Sequence, residues 1–234
     1  MKLTLHELDG RRKRFCAAMD AAHPGWDTAV IVSKVNQHYF AGSMQNATLL
    51  LYSDGSCEYY VRQSFERAVN ESPLSQVYRM GSYRSIAERH GSRLGNTFIE
   101  AETMPYAMLG RMGKHLAMDT VSGCDAEIRA VRAVKSEYEL HWMRQSGKQH
   151  ARLMLEEIPA LLREGMSEAE LVGEIYSRMM ALGHQGVSRF HMFDTLMGNG
   201  QFAFGENSLY PTFFDGPGGA KVHSAGSPVG GDPN

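Results

Sequence analysis

Histidine is the first residue type in this chain that suggests chemistry, because the sequence contains ten of them and a neutral imidazole is a common metal ligand. Local metal motifs place their ligands close together, as in HExxH, HxxEH or paired CxxC segments. None of these motifs occurs here, and His184, His191 and His223 are separated by seven and 32 positions. The sequence therefore contains no local metal motif.

Two other kinds of catalytic or binding site also lack their signature residues. A P-loop ends in Lys followed by Ser or Thr and leads into a helix, but the glycine-rich stretch 216–219 has neither feature. A serine nucleophile of the GxSxG type needs a free backbone N–H directly after the serine. Pro228 follows Ser227 and supplies none. These residues argue against phosphate binding and against serine hydrolysis.

Charge and cysteine usage limit the possible partners and the compartment. With 24 basic and 26 acidic residues the net charge is −2, so no overall field favours nucleic acid or an anionic membrane. The basic run Arg11–Arg14 is interpreted as a solvated helix face. Three widely spaced cysteines predict buried thiols rather than disulfides. The N-terminus lacks a signal-peptide pattern and no apolar run reaches about 18 residues, so we expect a cytoplasmic protein without membrane contact.

The elements that must position any site alternate between helix and strand in the first half of the chain. Asp54-Gly55 between two apolar runs is typical of a hairpin turn, and Ser82 is a good helix N-cap. The pattern predicts helices over 12–22, 82–90, 103–116 and 126–134, and strands over 28–33, 48–52, 57–61 and 97–101.

The second half begins with helices that carry their own start signals. Ser136 with Glu139, and Ser167 with Glu170, each have the spacing of a capping box. The first predicts a long helix over 137–163, with Pro159 as a kink. The second predicts a helix that ends near residue 182. Strands and loops are expected after that point.

Several segments together resemble the pita-bread metallopeptidases, the family of Xaa-Pro aminopeptidase, prolidase, methionine aminopeptidase and creatinase. The most specific segment is 128–140, which is similar to the family's R-x-x-K-S-x-x-E junction through Arg132, Lys135, Ser136 and Glu139. Physically, Arg132 and Lys135 are expected to bridge two domains by ion pairs. The other similar segments are 33–42, 54–62, 66–73, 165–171 and 204–217.

The resemblance implies an α/β (α+β) fold class and two domains. A creatinase-like N-terminal domain, with a central mixed sheet flanked by helices, would occupy residues 1–130. An incomplete pita-bread α+β domain would occupy residues 131–234. Because the second domain would lack half of its strand pairings, we expect residues 137–234 to be only marginally stable.

The resemblance also implies a set of site residues. In the family, two aspartates, a histidine and two glutamates hold two divalent metal ions, and all of them lie downstream of the segment that 204–217 resembles. The resemblance therefore places no metal ligand in this chain, and manganese, cobalt or zinc would belong to the complete enzyme. His223 is the candidate catalytic residue. The candidate substrate-pocket residues are Asn207, Tyr210, Phe214 and Asp215.

The function that the resemblance implies is Xaa-Pro peptide hydrolysis, with this chain as the N-terminal portion of such an enzyme and without activity by itself. The substrate would be a peptide with proline at its second position. Homodimerisation is implied as well, because the family's N-terminal domains pack on a neighbouring subunit. Two alternatives remain open: a non-enzymatic dimerisation or binding protein of the same ancestry, and a creatinase-like amidinohydrolase or lyase.

Overall fold

The computed structural model describes residues 3–186, 188–189, 196–197 and 202–210. The chain divides into two compact units, Met1–Glu139 and Leu140–Asn234. The predicted domain boundary between residues 130 and 131 falls inside a helix of the first unit, and that boundary stays a prediction. None of the described helices is long and apolar enough to cross a membrane.

The first unit is a mixed six-stranded sheet flanked by helices, in agreement with the predicted fold class. The strand order is β4-β3-β2-β1-β5-β6. Strands β1, β2 and β3 pair antiparallel, whereas the pairs β1–β5, β3–β4 and β5–β6 are parallel. The strands are β1 (Thr28–Ile31), β2 (Ala47–Tyr52), β3 (Cys57–Val61), β4 (Val77–Arg79), β5 (Arg93–Ile99) and β6 (Ala117–Gly123).

Six helices complete this unit and a seventh begins in it. They are α1 (Leu5–Ala22), α2 (Lys34–Ala41), α3 (Phe65–Glu71), α4 (Tyr83–His90), α5 (Tyr106–Met112), α6 (Asp125–Ala133) and α7 (Glu137–Arg152). The predicted hairpin is confirmed: Gly55 has φ +84° between β2 and β3, and the Ser56 N–H donates to Asp54 Oδ1 at 2.8 Å. Helices α2 and α3 and strands β4 and β6 were not predicted.

Successive strand residues alternate between two cores, one on each face of the sheet. In β2, Leu49 and Leu51 face the core that also contains Phe15 of α1, while Leu50 faces the opposite core. The second core is covered by α4 and α5, with Ile86 fully buried in it. This period of two is what a strand buried on both faces requires.

The interpretation of the basic run in α1 as a solvated face is wrong for Arg11 and Arg12, which are only 3% and 6% exposed, whereas Lys13 and Arg14 are exposed as predicted. Arg11 Nη1 donates to the carbonyl oxygen of Tyr39 at 2.9 Å, and its guanidinium lies 4.5 Å from the centre of the Tyr39 ring. Arg12 Nη1 donates to the carbonyl oxygen of Phe40. These arginines therefore join α1 to the last turn of α2.

The cysteine prediction is confirmed for all three residues. Cys16, Cys57 and Cys124 are free thiols and buried. Burial raises the pKa of Cys16 to about 11 and also raises that of Cys57. Thiols with raised pKa values are poor nucleophiles, so these side chains act as small apolar groups in the core.

The second unit consists mainly of helices. Helix α7 passes through a π-helical turn (Leu153–Glu157) into α8 (Ile158–Leu161), and α9 (Glu168–Ala181) follows. Two-residue strands β7 (Ser188–Arg189) and β8 (Leu196–Met197) pair antiparallel, and a 3-10 helix spans Gly205–Leu209. The predicted long helix is thus confirmed up to Leu161, with the irregular turn directly before Pro159.

Candidate functional site

The predicted capping box at the start of α9 is present. The Glu170 N–H donates to Ser167 Oγ at 3.2 Å, and the Ser167 N–H donates to Glu170 Oε2 at 2.9 Å. This reciprocal pair satisfies two N–H groups that a helix start leaves without partners. The start of α9 is therefore fixed by residues that are local in sequence.

Glu168, the first residue of α9, holds the predicted substrate-pocket segment. Its side chain is 5% exposed. The Phe204 N–H donates to Glu168 Oε1 at 2.5 Å, and Asn207 Nδ2 donates to Oε2 at 2.7 Å. A carboxylate at a helix N-terminus is also favoured by the helix dipole. Glu168 therefore fixes the 3-10 helix that carries Asn207.

The segment that Glu168 holds presents apolar side chains to solvent. Phe204, Leu209 and Tyr210 are 39%, 70% and 37% exposed. Among the described residues, no group donates to the buried Oδ1 atom of Asn207. Of the predicted pocket residues, Asn207 lies in the 3-10 helix and Tyr210 directly follows it. Phe214 and Asp215, and the candidate catalytic residue His223, lie outside the described residues.

The described residues do not fit a metal centre. No three His, Cys, Asp or Glu side chains group closely enough to hold an ion within the described part of the chain. The pair of metal ions implied by the resemblance stays a prediction.

A second buried carboxylate, Glu100, lies at the carboxyl ends of the parallel strands β1 and β5 and is 1% exposed. Glu100 Oε2 accepts from the N–H groups of Val32 at 2.5 Å and Ser33 at 2.7 Å, and its Oε1 accepts from Asn36 Nδ2 at 2.6 Å. Burial raises the pKa of Glu100, although the hydrogen bonds from Ser33 and Asn36 oppose that shift. Open α/β sheets often bind ligands at this position. Here the protein's own carboxylate fills it.

The junction segment joins this network through Arg132. Arg132 Nη1 donates to Asn36 Oδ1 at 2.9 Å, and Lys135 Nζ donates to the carbonyl oxygens of Arg132 and Ala133. These hydrogen bonds lie within the first unit, and the expectation of ion pairs between domains stays a prediction. Arg132 links α6 to α2, and through Asn36 to Glu100.

An open groove of about 810 Å³ lies at the other end of the sheet. Within it, Glu58 Oε2 accepts from the hydroxyls of Tyr52 at 2.6 Å and Tyr60 at 3.0 Å. His90 Nδ1 lies 3.0 Å from the Tyr52 hydroxyl, and the two rings stack at 4.9 Å. Burial, and then Glu58, raise the pKa of Tyr52. Because these groups hydrogen-bond to one another, the cluster fastens the last residue of α4 to the sheet.

Comparison with protein families identifies the first unit. The model described as "Creatinase/Prolidase N-terminal domain" matches residues 11–134, more than half of the 234-residue chain. The chain belongs to the creatinase/prolidase N-terminal domain family. The matched range includes both Glu100 and Arg132. A search of curated proteins finds no match.

Solved structures with similar folds are enzymes about twice as long. The Xaa-Pro dipeptidase from Bacillus anthracis has a TM-score of 0.68 at 16% identity, and the match covers 78% of this chain and 51% of that enzyme. The prolidase from Pyrococcus horikoshii OT3 gives 0.65 at 19% identity, with 76% and 52% covered. The X-Pro aminopeptidase from Thermotoga maritima MSB8 gives 0.61 at 19%, with 76% and 51% covered. The chain spans about half the length of these enzymes, and identities this low show a shared fold alone.

Sequence reasoning named Asn207 and Tyr210 but missed Glu168, which holds their segment, and Glu100, which bonds to the start of α2 in the first unit. Glu168 had a signal, because it is the first helical residue after the N-cap Ser167, where carboxylates are favoured. The signal for Glu100 was weaker: it is a charged residue directly after the apolar end of strand β5. Nothing local in the sequence indicates that either carboxylate bonds to a segment 36 or more residues away.

Proposed function

We propose that this chain forms the N-terminal domain and the opening catalytic segment of a metallohydrolase that cleaves Xaa-Pro peptides. The observation that carries the proposal is the family membership over residues 11–134, together with a fold shared with an Xaa-Pro dipeptidase, a prolidase and an X-Pro aminopeptidase. The substrate would be a peptide with proline at its second position. Two divalent metal ions would be held by residues that this sequence does not contain.

In this proposal the Asn207 segment contributes to the substrate pocket. Its exposed side chains Phe204, Leu209 and Tyr210 offer an apolar surface of the kind that a pyrrolidine ring contacts. The amide of Asn207 offers a polar group that orients a peptide. Glu168 is a positioning residue, since it holds the backbone of Phe204 and the amide of Asn207.

Two alternatives have support from the same observations. The network around Glu100 is internally satisfied, which suits a domain that serves binding or dimerisation without catalysis. The description of the family also names creatinase. An amidinohydrolase or a lyase of the same ancestry is therefore the second alternative.

The first experiment measures hydrolysis of an Xaa-Pro dipeptide and an Xaa-Pro-Xaa tripeptide with added manganese or cobalt. The 234-residue chain is compared with a protein extended through any downstream reading frame. We expect cleavage by the extended protein alone. Cleavage by the shorter chain would contradict the proposal that the metal ligands lie outside it. Inactivity of both proteins would favour the non-enzymatic alternative.

A second test addresses the positioning role of Glu168 in the extended protein. Glu168→Ala is expected to lower kcat/KM by roughly 10-fold to 100-fold. Each lost hydrogen bond to the charged group is worth about 1.5–3 kcal/mol, and only a part of the total loss reaches the substrate through the segment that Glu168 holds. Glu164→Ala removes an exposed carboxylate nearby and serves as the control. Equal kinetics for the two variants would contradict the positioning role.

A further inference from the structure

A histidine ends one of the helices that cover the second core. His90 is the last residue of α4, its side chain is 23% exposed, and its ring stacks on the Tyr52 ring at 4.9 Å and 13°. Nδ1 of His90 lies 3.0 Å from the Tyr52 hydroxyl oxygen and 3.3 Å from Glu58 Oε2. The end of α4 therefore meets strands β2 and β3 through one ring nitrogen.

Both oxygen atoms near this nitrogen act as hydrogen-bond acceptors. The hydroxyls of Tyr52 and Tyr60 donate to Glu58 Oε2 at 2.6 and 3.0 Å. Burial, and then the hydrogen bond to Glu58, raise the pKa of both tyrosines, so each hydroxyl keeps its proton at neutral pH. A hydroxyl has one proton to donate, and Glu58 accepts that of Tyr52. The Tyr52 oxygen therefore offers only lone pairs to His90.

This arrangement requires a proton on Nδ1. A neutral imidazole carries its proton on either ring nitrogen, whereas the imidazolium carries one on each. If Nε2 alone is protonated, the Nδ1 lone pair of His90 faces two acceptor oxygens and no hydrogen bond forms. The imidazolium always donates from Nδ1, it attracts the Glu58 carboxylate, and the C-terminus of a helix favours a cation. The contact is therefore strongest when His90 is protonated.

Glu58 is the carboxylate that pairs with His90 in the described part of the chain. Arg89, the preceding residue of α4, lies over the Tyr78 ring at 4.0 Å. The remaining titratable side chains that line the groove with His90 are Asp27, Asp54, Cys57 and Arg93. The two aspartates accept from backbone N–H groups, the thiol is buried, and the arginine pairs with Asp119. The protonation of His90 is therefore coupled chiefly to Glu58.

We propose that His90 makes a pH-sensitive contact: protonated, it holds the end of α4 on the sheet, and neutral, it lets the last turn of α4 open more often. Histidine ordinarily changes charge between about pH 5 and 8. The stabilisation is therefore present at the acidic end of this range and is lost as pH rises through it. Ile86 of the same helix is fully buried in the second core, so opening exposes apolar surface beside the groove. The contact lies within the first unit and does not depend on the proposed peptidase activity.

Hydrogen exchange of the full chain tests the proposal without substrate or metal. Exchange of the backbone N–H groups of residues 87–91 is measured at about pH 5.5 and about pH 8. Each rate is compared with the intrinsic rate at the same pH, which gives a protection factor. We expect the protection factors of these residues to fall at least fivefold from the lower to the higher pH, because local opening sets them. Equal protection at the two pH values would overturn the proposal.

Two glutamine variants assign the effect to one histidine. His90→Gln keeps an N–H donor but has no ionisable group, so its protection factors should change less than twofold between the two pH values. His115→Gln is the matched control, because His115 is half-buried and pairs with no carboxylate among the described residues. This control should keep the wild-type change. A wild-type change that persists in His90→Gln would overturn the role of His90.

A further variant and a direct observation of the ring apply even if His90→Gln loosens α4 at both pH values. Glu58→Gln keeps an acceptor oxygen but removes the charge, and should reduce the change in protection to less than twofold. In the wild-type chain, the ¹⁵N spectrum of the imidazole should show a proton on Nδ1 at both pH values, while Nε2 loses its proton as pH rises. An unprotonated Nδ1 at about pH 8, or the full wild-type change in Glu58→Gln, would overturn the proposal.

Discussion

Among the described residues, each compact unit buries one glutamate whose carboxylate lies at the N-terminus of a helix, but the two glutamates have different surroundings. Glu100 in the first unit accepts three hydrogen bonds at the edge of a core that extends over both faces of the sheet. Glu168 in the second unit accepts from Phe204 and Asn207 beside a small core. That core consists of Leu153, Met166, Leu171 and Ile175 among the described residues.

A buried glutamate at a helix N-terminus therefore has different consequences in a large core and in a small one. In the first unit the carboxylate completes a structure that apolar burial already stabilises. In the second unit it holds a short segment whose own side chains are largely exposed. We therefore expect mutations in the first unit to act on its global unfolding. Mutations at Glu168 should act locally, on residues 202–210.

The largest expected effect is at Phe15, which is fully buried and packs against Trp26 and Phe40 at ring distances of 5.9 and 5.2 Å. Phe15→Ala should lower the free energy of unfolding by about 3–5 kcal/mol, because it leaves a cavity. The measurement is urea unfolding followed by Trp26 fluorescence in a Trp142→Phe background, since the chain has two tryptophans.

A matched substitution in the smaller core sharpens this prediction. Ile175 is also fully buried, but Ile175→Ala should cost only about 2 kcal/mol, at the low end for such changes, since its core cluster is the smaller one among the described residues. It is followed by Trp142 fluorescence in a Trp26→Phe background. A cost equal to that of Phe15→Ala would contradict the contrast between the two cores.

The next prediction compares alanine substitutions of the two glutamates. Glu100→Ala leaves two backbone N–H groups and the Asn36 amide without their acceptor, and should cost about 2–4 kcal/mol of global stability. Glu168→Ala should leave the transition of the first unit unchanged. It should instead increase hydrogen exchange at residues 202–210 by at least tenfold. Unchanged exchange in that segment would show that Glu168 does not hold it.

The smallest effect is a pH dependence due to Glu100. Because burial raises its pKa in the folded state above the ordinary value of 4.5, the folded protein binds this proton more tightly than the unfolded chain. The resulting stability is fully present below pH 4.5 and is lost as pH rises through the folded pKa. Relative to Glu100→Gln, wild-type stability should fall with rising pH, with a slope of at most about 1.4 kcal/mol per pH unit.

A rise in wild-type stability with rising pH, relative to Glu100→Gln, would contradict this prediction. It would mean that the hydrogen bonds from Val32, Ser33 and Asn36 outweigh burial and that the pKa of Glu100 is lowered. Glu100→Gln keeps the size of the side chain and removes its ionisation, so comparing the two proteins cancels the titration of the other carboxylates.

Sequence reasoning succeeded where the signals are local. The Asp54-Gly55 turn and the capping boxes at Ser136 and Ser167 depend on residues within three positions of each other. Strands β1, β2, β3 and β5 of the central sheet were predicted because apolar residues lie on both of their faces. Strand β6 was missed because its side chains are mostly exposed and follow no apolar alternation.

Helix α2 shows most clearly what local signals leave out. Its residues Lys34–Ala41 include aromatic and β-branched side chains with modest helix propensity, and its N-cap Ser33 makes no side-chain capping bond. The N–H group of Ser33 is satisfied by Glu100, which lies 67 positions later. A helix start completed by a distant strand cannot be identified from a window of sequence.

The sequence by itself determined the α/β character, the hairpin, the self-capped helices, the buried cysteines and the membership in a family. The tertiary structure decided that Arg11 and Arg12 are buried, that Arg132 bonds to Asn36, and that Glu168 holds Asn207. The physical reason is the separation in sequence between the groups that bond to each other. Turns and capping boxes are closed by neighbours in the chain, whereas a buried charge needs partners that only the folded chain brings within hydrogen-bonding distance.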